Sequence, residues 1–288
     1  MYSHRMTRVT RLVLVVTFAA LSILLTRPGQ AQTTERLVWS DEFSSPGTTL
    51  DRANWRYQTG GNGWGNHELE TYCSPATTQP PCDSAHPNAL VGDDGFLHIV
   101  ARRNQTGEWT SARIATQGLK SFQYGRIEAR IRIPSGLGVW PAFWMLGDNI
   151  DKVHWPACGE LDIMENVGKT PLELRGSVHG RGFTGTPLTT RYTLPSGQPF
   201  AASFHRYGLI WSPGKIQYYV DDPAHPYATY TRANLPPEAV WPFEDGKYFI
   251  LLNLAIGGDW PGAPDASTPN PAEMLVDYVR VYQAGATK

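Results

Sequence analysis

The sequence predicts an all-β fold, and three features carry that expectation. From Tyr124 to Ile133 apolar and charged residues alternate: Ile127, Ala129, Ile131 and Ile133 share one face, Arg126, Glu128, Arg130 and Arg132 the other, which is the period of a half-buried strand. The composition combines strand formers with turn formers, since 11% of residues are aromatic, Gly and Pro number 28 and 23, and only 18% are charged; short strands joined by loops suit that mixture better than long helices. No long stretch carries a helical period.

Along the chain, residues 1–31 read as an export signal. Arg5, Arg8 and Arg11 form a basic start, Leu12–Leu25 an uncharged apolar run, and Gly29-Gln30-Ala31 a small-residue cleavage site. The run is shorter than the ~20 residues of a membrane span, so the remainder is expected to be secreted, extracellular and without a membrane segment after signal cleavage. Arg36–Phe43 reads as a first strand, Thr59–Gly65 as a glycine-rich loop, Phe96–Arg102 as a half-buried strand and Val139–Leu146 as an aromatic-rich one. Tyr207–Trp211 and Ile216–Val220 form a hairpin through Ser212-Pro213-Gly214-Lys215. Tyr248–Ile256 and Met274–Tyr282 supply late strands. No repeat or linker interrupts the chain, so residues 35–285 are expected to form one domain; all-β domains of roughly 200–250 residues are common.

Charge and cysteines narrow the function. Residues 1–31 hold four Arg and no acid, leaving 21 basic and 26 acidic side chains, a charge of −5. Without a basic cluster, nucleic acid is not an expected partner; a neutral substrate fits better. Cys73 and Cys82 flank a loop with three Pro, and in an exported protein they are candidates for a disulfide. Cys158 is left over, as a small buried thiol or as a reactive one.

The segment most informative about chemistry is Gly159-Glu160-Leu161-Asp162-Ile163-Met164-Glu165-Asn166. In a strand Glu160 and Asp162 point the same way, and Glu165 has the wrong parity unless an extra residue interrupts the ladder. A β-bulge at Ile163-Met164 brings all three carboxylates to one face. A solvated acidic face would show the same letters. Crowded like charges raise each other's pKa, however, and a purely structural strand has no need of that cost. Glycoside hydrolysis does need it, because one carboxylate attacks the anomeric carbon while a second carboxyl donates a proton. On that reading Glu160 is the nucleophile, Glu165 the acid/base, and Asp162 bridges them.

This segment resembles the catalytic signature of glycoside hydrolase family 16 in its bulged variant. The similarity extends through WSDEF (Trp39–Phe43), GNGWGNHELETY (Gly61–Tyr72), YGRIEARIRIP (Tyr124–Pro134), GVWPAFWML (Gly138–Leu146), WPACGELDIMENVG (Trp155–Gly168), SVHG (Ser177–Gly180), FHRYGLIW (Phe204–Trp211), FILLNLAIGGDWPG (Phe249–Gly262) and VDYVRVYQ (Val276–Gln283). These blocks resemble the laminarinase type, the endo-1,3-β-glucanases. The resemblance implies a β-jelly-roll sandwich of two curved antiparallel sheets with a concave glycan-binding cleft, and retaining hydrolysis of β-glucan by double displacement. It implies a monomer and no cofactor for catalysis.

Carried over residue by residue, Glu160, Asp162 and Glu165 match the catalytic acids, and His179 a histidine lining the site. Trp140, Trp144 and Trp155 match aromatic positions at sugar subsites, where flat rings stack on pyranose faces; Trp144 could equally be core. Asn66, Glu68 and Arg113 are candidates for sugar hydroxyls, with a surface ion pair as the alternative for Arg113. The resemblance also implies a structural calcium at Glu42, Gly95 and Asp277, partly through main-chain carbonyls, and calcium takes such oxygen ligands. The Cys73–His86 stretch is longer and richer in Pro than the pattern, which puts one end of the cleft in doubt. Agar-type galactan and mixed-linkage β-glucan are alternative substrates, and a β-glucan-binding protein without turnover is the alternative outside enzymes.

Overall fold

A computed structural model describes Met1, residues 35–47 and residues 50–285; apart from Met1, the export signal lies outside the described residues. The chain divides into residues 1–33 and a unit from Thr34 to Lys288. Its strands in the N-terminal third are β1 (Glu35–Asp41), β2 (Arg56–Tyr57), β3 (Glu70–Tyr72), β4 (Ala89–Val91), β5 (Leu97–Arg103), β6 (Trp109–Ser111) and β7 (Arg113–Ala115). The middle supplies β8 (Gly125–Arg132), β9 (Val139–Gly147), β10 (Glu160–Asn166), β11 (Leu174–His179) and β12 (Thr189–Tyr192). The last third adds β13 (His205–Ser212), β14 (Lys215–Val220), β15 (Ala228–Thr231), β16 (Tyr248–Ile256) and β17 (Ala272–Ala284). A single helical turn, α1 (Ile150–Val153), precedes the acidic strand.

The strands form two sheets. The larger has the order β15-β14-β13-β8-β17-β5-β6-β3, with β1 on β17 and β4 on β5; the smaller has the order β12-β11-β10-β9-β16-β7-β2. The pairings are antiparallel except for β3 with β6. The first and last strands pair, Glu35 opposite Ala284, and the expected hairpin closes with Ser212 opposite Lys215. The all-β fold expected from the alternation, as the two-sheet jelly roll that the family resemblance implies, is therefore the fold observed.

Between the sheets lies the core. Ile127, Ala129, Ile131, Val279 and Val281 of the larger sheet face it, as do Phe143, Met145, Leu161, Ile163, Leu252 and Leu254 of the smaller, all fully buried. Each large aliphatic side chain so buried contributes about 1.5–3 kcal/mol. The alternate residues of β9, β10, β11 and β16 then project from the outer face of the smaller sheet, and that face carries the acidic segment. Among the described residues no helix is long and apolar enough to cross a membrane.

Candidate active site

The acidic strand β10 departs from regular register where the sequence requires it. Against β9, Asp162 is opposite Trp144 and Met164 opposite Phe143, so Ile163 has no partner. Against β11, Asp162 is opposite Ser177 and Glu165 opposite Arg175, so Ile163 and Met164 together face Gly176. Both bulge residues are fully buried. The extra residue reverses parity, and Glu165 joins Glu160 and Asp162 on the outer face. Two glycines permit the arrangement. Gly159 has φ +80°, and a Cβ there would lie 2.0 Å from the Tyr248 hydroxyl; one on Gly176 would lie 2.3 Å from the Tyr227 hydroxyl.

Each outer carboxyl is held by an indole. Trp155 Nε1–H donates to Glu160 Oε2 at 2.6 Å, and Trp140 Nε1–H donates to Glu165 Oε1 at 3.0 Å. Between them Asp162 is hydrogen-bonded to Glu160 and lies 2.9 Å from His179 Nε2. Among the described residues His179 Nδ1 is buried without a partner, and Nε2 is the ring nitrogen that faces Asp162. The donor atoms of Glu160, Asp162 and His179 all lie within 4.8 Å of one another. Asp162 can therefore accept from His179 on one oxygen and share a proton with Glu160 through the other.

Burial shifts all three acids upward. It pushes Glu160 up to about 8, aided by the charge of Asp162 and opposed by His179 and the Trp155 hydrogen bond. It pushes Glu165 up to about 7, opposed by His179, Trp140 and Arg175 and reinforced by Glu160. Asp162 rises well above its usual range through burial and the Glu165 charge. The acids titrate as a unit that retains a proton near neutrality. Glu160 standing above Glu165 is the reverse of what a nucleophile and a proton donor require. The shared proton of the Glu160–Asp162 pair can sit on either acid, and with it on Asp162, Glu160 is an anion that accepts from both Asp162 and Trp155.

The remaining site residues line up across neighbouring strands. Arg113 on β7 is opposite Asn253 on β16, which is opposite Ala142 on β9, which is opposite Glu165. Among the described residues Arg113 makes no surface ion pair; its guanidinium lies 4.6 Å from the Trp64 ring and 4.7 Å from the Trp144 ring, and its Nε donates to Gln58 at 2.6 Å. Trp144 lies on the outer face under Arg113 rather than in the core between the sheets, and its Nε1–H donates to Asn253 Oδ1 at 2.8 Å. Trp155 is 52% exposed, available for stacking. Asn66 donates to Glu68 Oε1 at 3.0 Å. Glu68 is 8% exposed and also accepts from Tyr72 at 3.0 Å, so it supports Asn66 from beneath.

Sequence reasoning missed Trp64, Trp260 and Arg175. The Trp260 ring lies 5.0 Å from that of Trp140, with the Arg175 guanidinium 4.5 Å from Trp260. Both tryptophans sit in glycine-rich loops, and a large aromatic in such a loop was the available signal; for Arg175 only strand pairing shows the role.

Elsewhere, Cys73 and Cys82 form a disulfide with Cα atoms 5.7 Å apart. Cys158 is a buried free thiol, pushed up to about 11 by burial and the neighbouring Glu160 charge, which makes it unreactive. At the implied calcium position, both oxygens of Glu42 accept from Arg280, at 2.9 and 2.7 Å, and Arg130 engages Asp277 at 2.6 Å. These guanidinium groups occupy the carboxylates. What these residues still offer a hard cation is main-chain carbonyl oxygen and the second oxygen of Asp277.

Comparison with known proteins agrees with the geometry. The family model described as glycosyl hydrolases family 16 matches residues 83–280. A beta-glucanase of Rhodothermus marinus is 40% identical over 261 residues, covering 86% of this chain and 85% of the relative. The endo-beta-1,3-glucanase of Pyrococcus furiosus superposes with a TM-score of 0.76 at 41% identity, covering 87% of this chain and 96% of that one. The laminarinase catalytic domain of Thermotoga petrophila superposes with a TM-score of 0.77 at 37% identity, covering 88% and 99%. By fold, site and kinship, the chain belongs to the glycosyl hydrolases family 16 and is a glycoside hydrolase.

Proposed function

We propose that the protein is a secreted, monomeric endo-acting enzyme that hydrolyses β-1,3-glucan with retention of configuration, in polysaccharide breakdown. The observation that carries the mechanism is the bulge at Ile163-Met164, which sets Glu160 and Glu165 on one face with Asp162 between them. Glu160, as the carboxylate, attacks the anomeric carbon. Glu165 gives its proton to the leaving oxygen, and a pKa of about 7 keeps it mostly protonated in mildly acidic solution. Asp162 donates to Glu160 before attack. When Glu160 becomes the glycosyl ester and loses its charge, the proton stays on Asp162, which remains paired with His179. Glu165, now ionised, takes a proton from water, which cleaves the ester.

The substrate rests on kinship with the Pyrococcus and Thermotoga enzymes, together with an aromatic floor suited to neutral pyranose rings. Calcium belongs to the same proposal in reduced form: an ion held mainly by main-chain carbonyls at Glu42 and Gly95, with Asp277, would raise thermal stability without changing the chemistry. Product analysis on laminarin, mixed-linkage glucan and agarose side by side tests the reading. Short 1,3-linked oligosaccharides from laminarin with agarose untouched support it. Agarose cleavage alone overturns the substrate and keeps the mechanism, and binding of laminarin without release from any of the three overturns the enzyme.

A further inference from the structure

One buried acid outside the catalytic trio forms no ion pair among the described residues. Glu70 on β3 is 1% exposed. Its Oε2 accepts the main-chain N–H of Ile256 at 2.6 Å, which ties β3 to the end of β16. Its Oε1 is buried with no hydrogen-bond donor in reach among the described residues. A carboxylate left so would forfeit hydration without a replacement. A carboxylic acid there has a hydrogen to give, and Glu68 is hydrogen-bonded to it.

The polarity of the surrounding network says which of the two acids is ionised. Trp144 Nε1–H donates to Asn253, Asn253 Nδ2–H donates to the Tyr72 hydroxyl at 3.1 Å, and Tyr72 donates to Glu68. Asn66 donates to Glu68 from the other side. Every donor points towards Glu68, which makes it the anion, facing the charge of Arg113. The proton of the pair therefore belongs to Glu70. The titratable groups facing Glu70 are Glu68, Tyr72 and Arg113; β16 presents the Ile256 amide and β6, in register, Trp109.

We infer that Glu70 is a positioning residue that works as a neutral hydrogen-bond donor, fixing Glu68 and through it the Asn66 and Tyr72–Asn253–Trp144 wall of the glycan cleft. The functional half rests on the proposed role of that wall; the protonation half rests on the unpartnered Oε1 of Glu70 and the donors converging on Glu68. In the unfolded chain Glu70 ionises above about pH 4.3, while in the fold it keeps its proton. The folded state thus binds one more proton, and stability falls as pH rises from that value towards the higher folded pKa. Gln at this position donates from its amide and does not titrate.

Thermal melts of wild type and Glu70→Gln between pH 4 and 8 test this without any substrate. The Tm difference should be near zero at pH 4 and grow in favour of Glu70→Gln to roughly 3 °C or more by pH 7. A difference that stays constant, or that shrinks as pH rises, overturns the assignment. Glu70→Leu, which removes the donor, should raise KM about tenfold with kcat within about twofold, while Glu70→Gln keeps both. Equal KM for Leu and Gln overturns the positioning role. If Glu70→Leu does not fold, the Gln melts still decide the protonation. Failure to cleave laminarin with the melts as expected would count against the substrate and leave Glu70 as assigned.

Discussion

Arg175 stands directly across the β10–β11 ladder from Glu165, and its guanidinium rests 4.5 Å from the ring of Trp260. Trp260 in turn meets Trp140 edge-on, and Trp140 holds Glu165 by its indole N–H. Glu173 orients Arg175 through Nε at 3.1 Å. Glu165 is thus bracketed by a cation on one side and an indole donor on the other, both of which favour its ionised form.

Arg175→Met keeps the aliphatic stem and removes the charge. Because Arg175 lowers the pKa of Glu165, its loss raises that pKa, and the protonated acid persists to higher pH. The alkaline limb of kcat/KM should move up by roughly half a pH unit or more, with Arg175→Lys restoring most of the shift. A limb that stays in place, read from full pH–rate profiles, would show that Arg175 does not act on Glu165.

Trp155→Phe keeps a ring at the subsite and removes the donor to Glu160. A hydrogen bond to a charged group contributes about 1.5–3 kcal/mol, so kcat should fall roughly 10- to 100-fold. Steady-state kinetics check this, and an unchanged kcat would place the nucleophile's stabilisation elsewhere.

Deleting Ile163 restores regular register on β10 and turns one of the two glutamates inward. Activity should be lost, and burial of a carboxylate should lower the melting temperature. A folded deletion variant of full activity would contradict the bulge's role.

Cys82→Ser opens a disulfide across a sequence separation of 9 residues. Closing so short a loop stabilises by about 2–3 kcal/mol, and urea unfolding should show that loss. Turnover at 25 °C should persist, since the disulfide lies outside the catalytic strand; its loss would tie the stapled loop to the cleft.

How much of this was legible depended on whether the signal was local. The alternation on β8 gave its buried face, because a period of two is written in consecutive residues; Ile127, Ala129 and Ile131 are fully buried. The bulge was legible from the parity of three acids. Glu128 was not: it is 2% exposed because Tyr219 and Tyr278, from strands distant in sequence, donate to it at 2.6 and 3.3 Å. The short strands β2, β3, β6 and β7 carry too few residues to show a period. Arg175 and Trp260 come together only through pairing of β10 with β11 and the return of a late loop, which no window of sequence contains. Glu68 was expected at sugar hydroxyls, and the structure sets it one layer lower, behind Asn66.

The most direct test of the central claim uses azide as a substitute nucleophile with an aryl β-laminaribioside carrying an activated leaving group. If Glu160 is the nucleophile, Glu160→Ala with azide should yield the α-glycosyl azide, formed by a single displacement. If Glu165 is the acid/base, Glu165→Ala should still form the glycosyl-enzyme, and azide should open it to the β-glycosyl azide. The opposite pairing of variant and anomer, read by proton NMR, would contradict the assignment of the two glutamates.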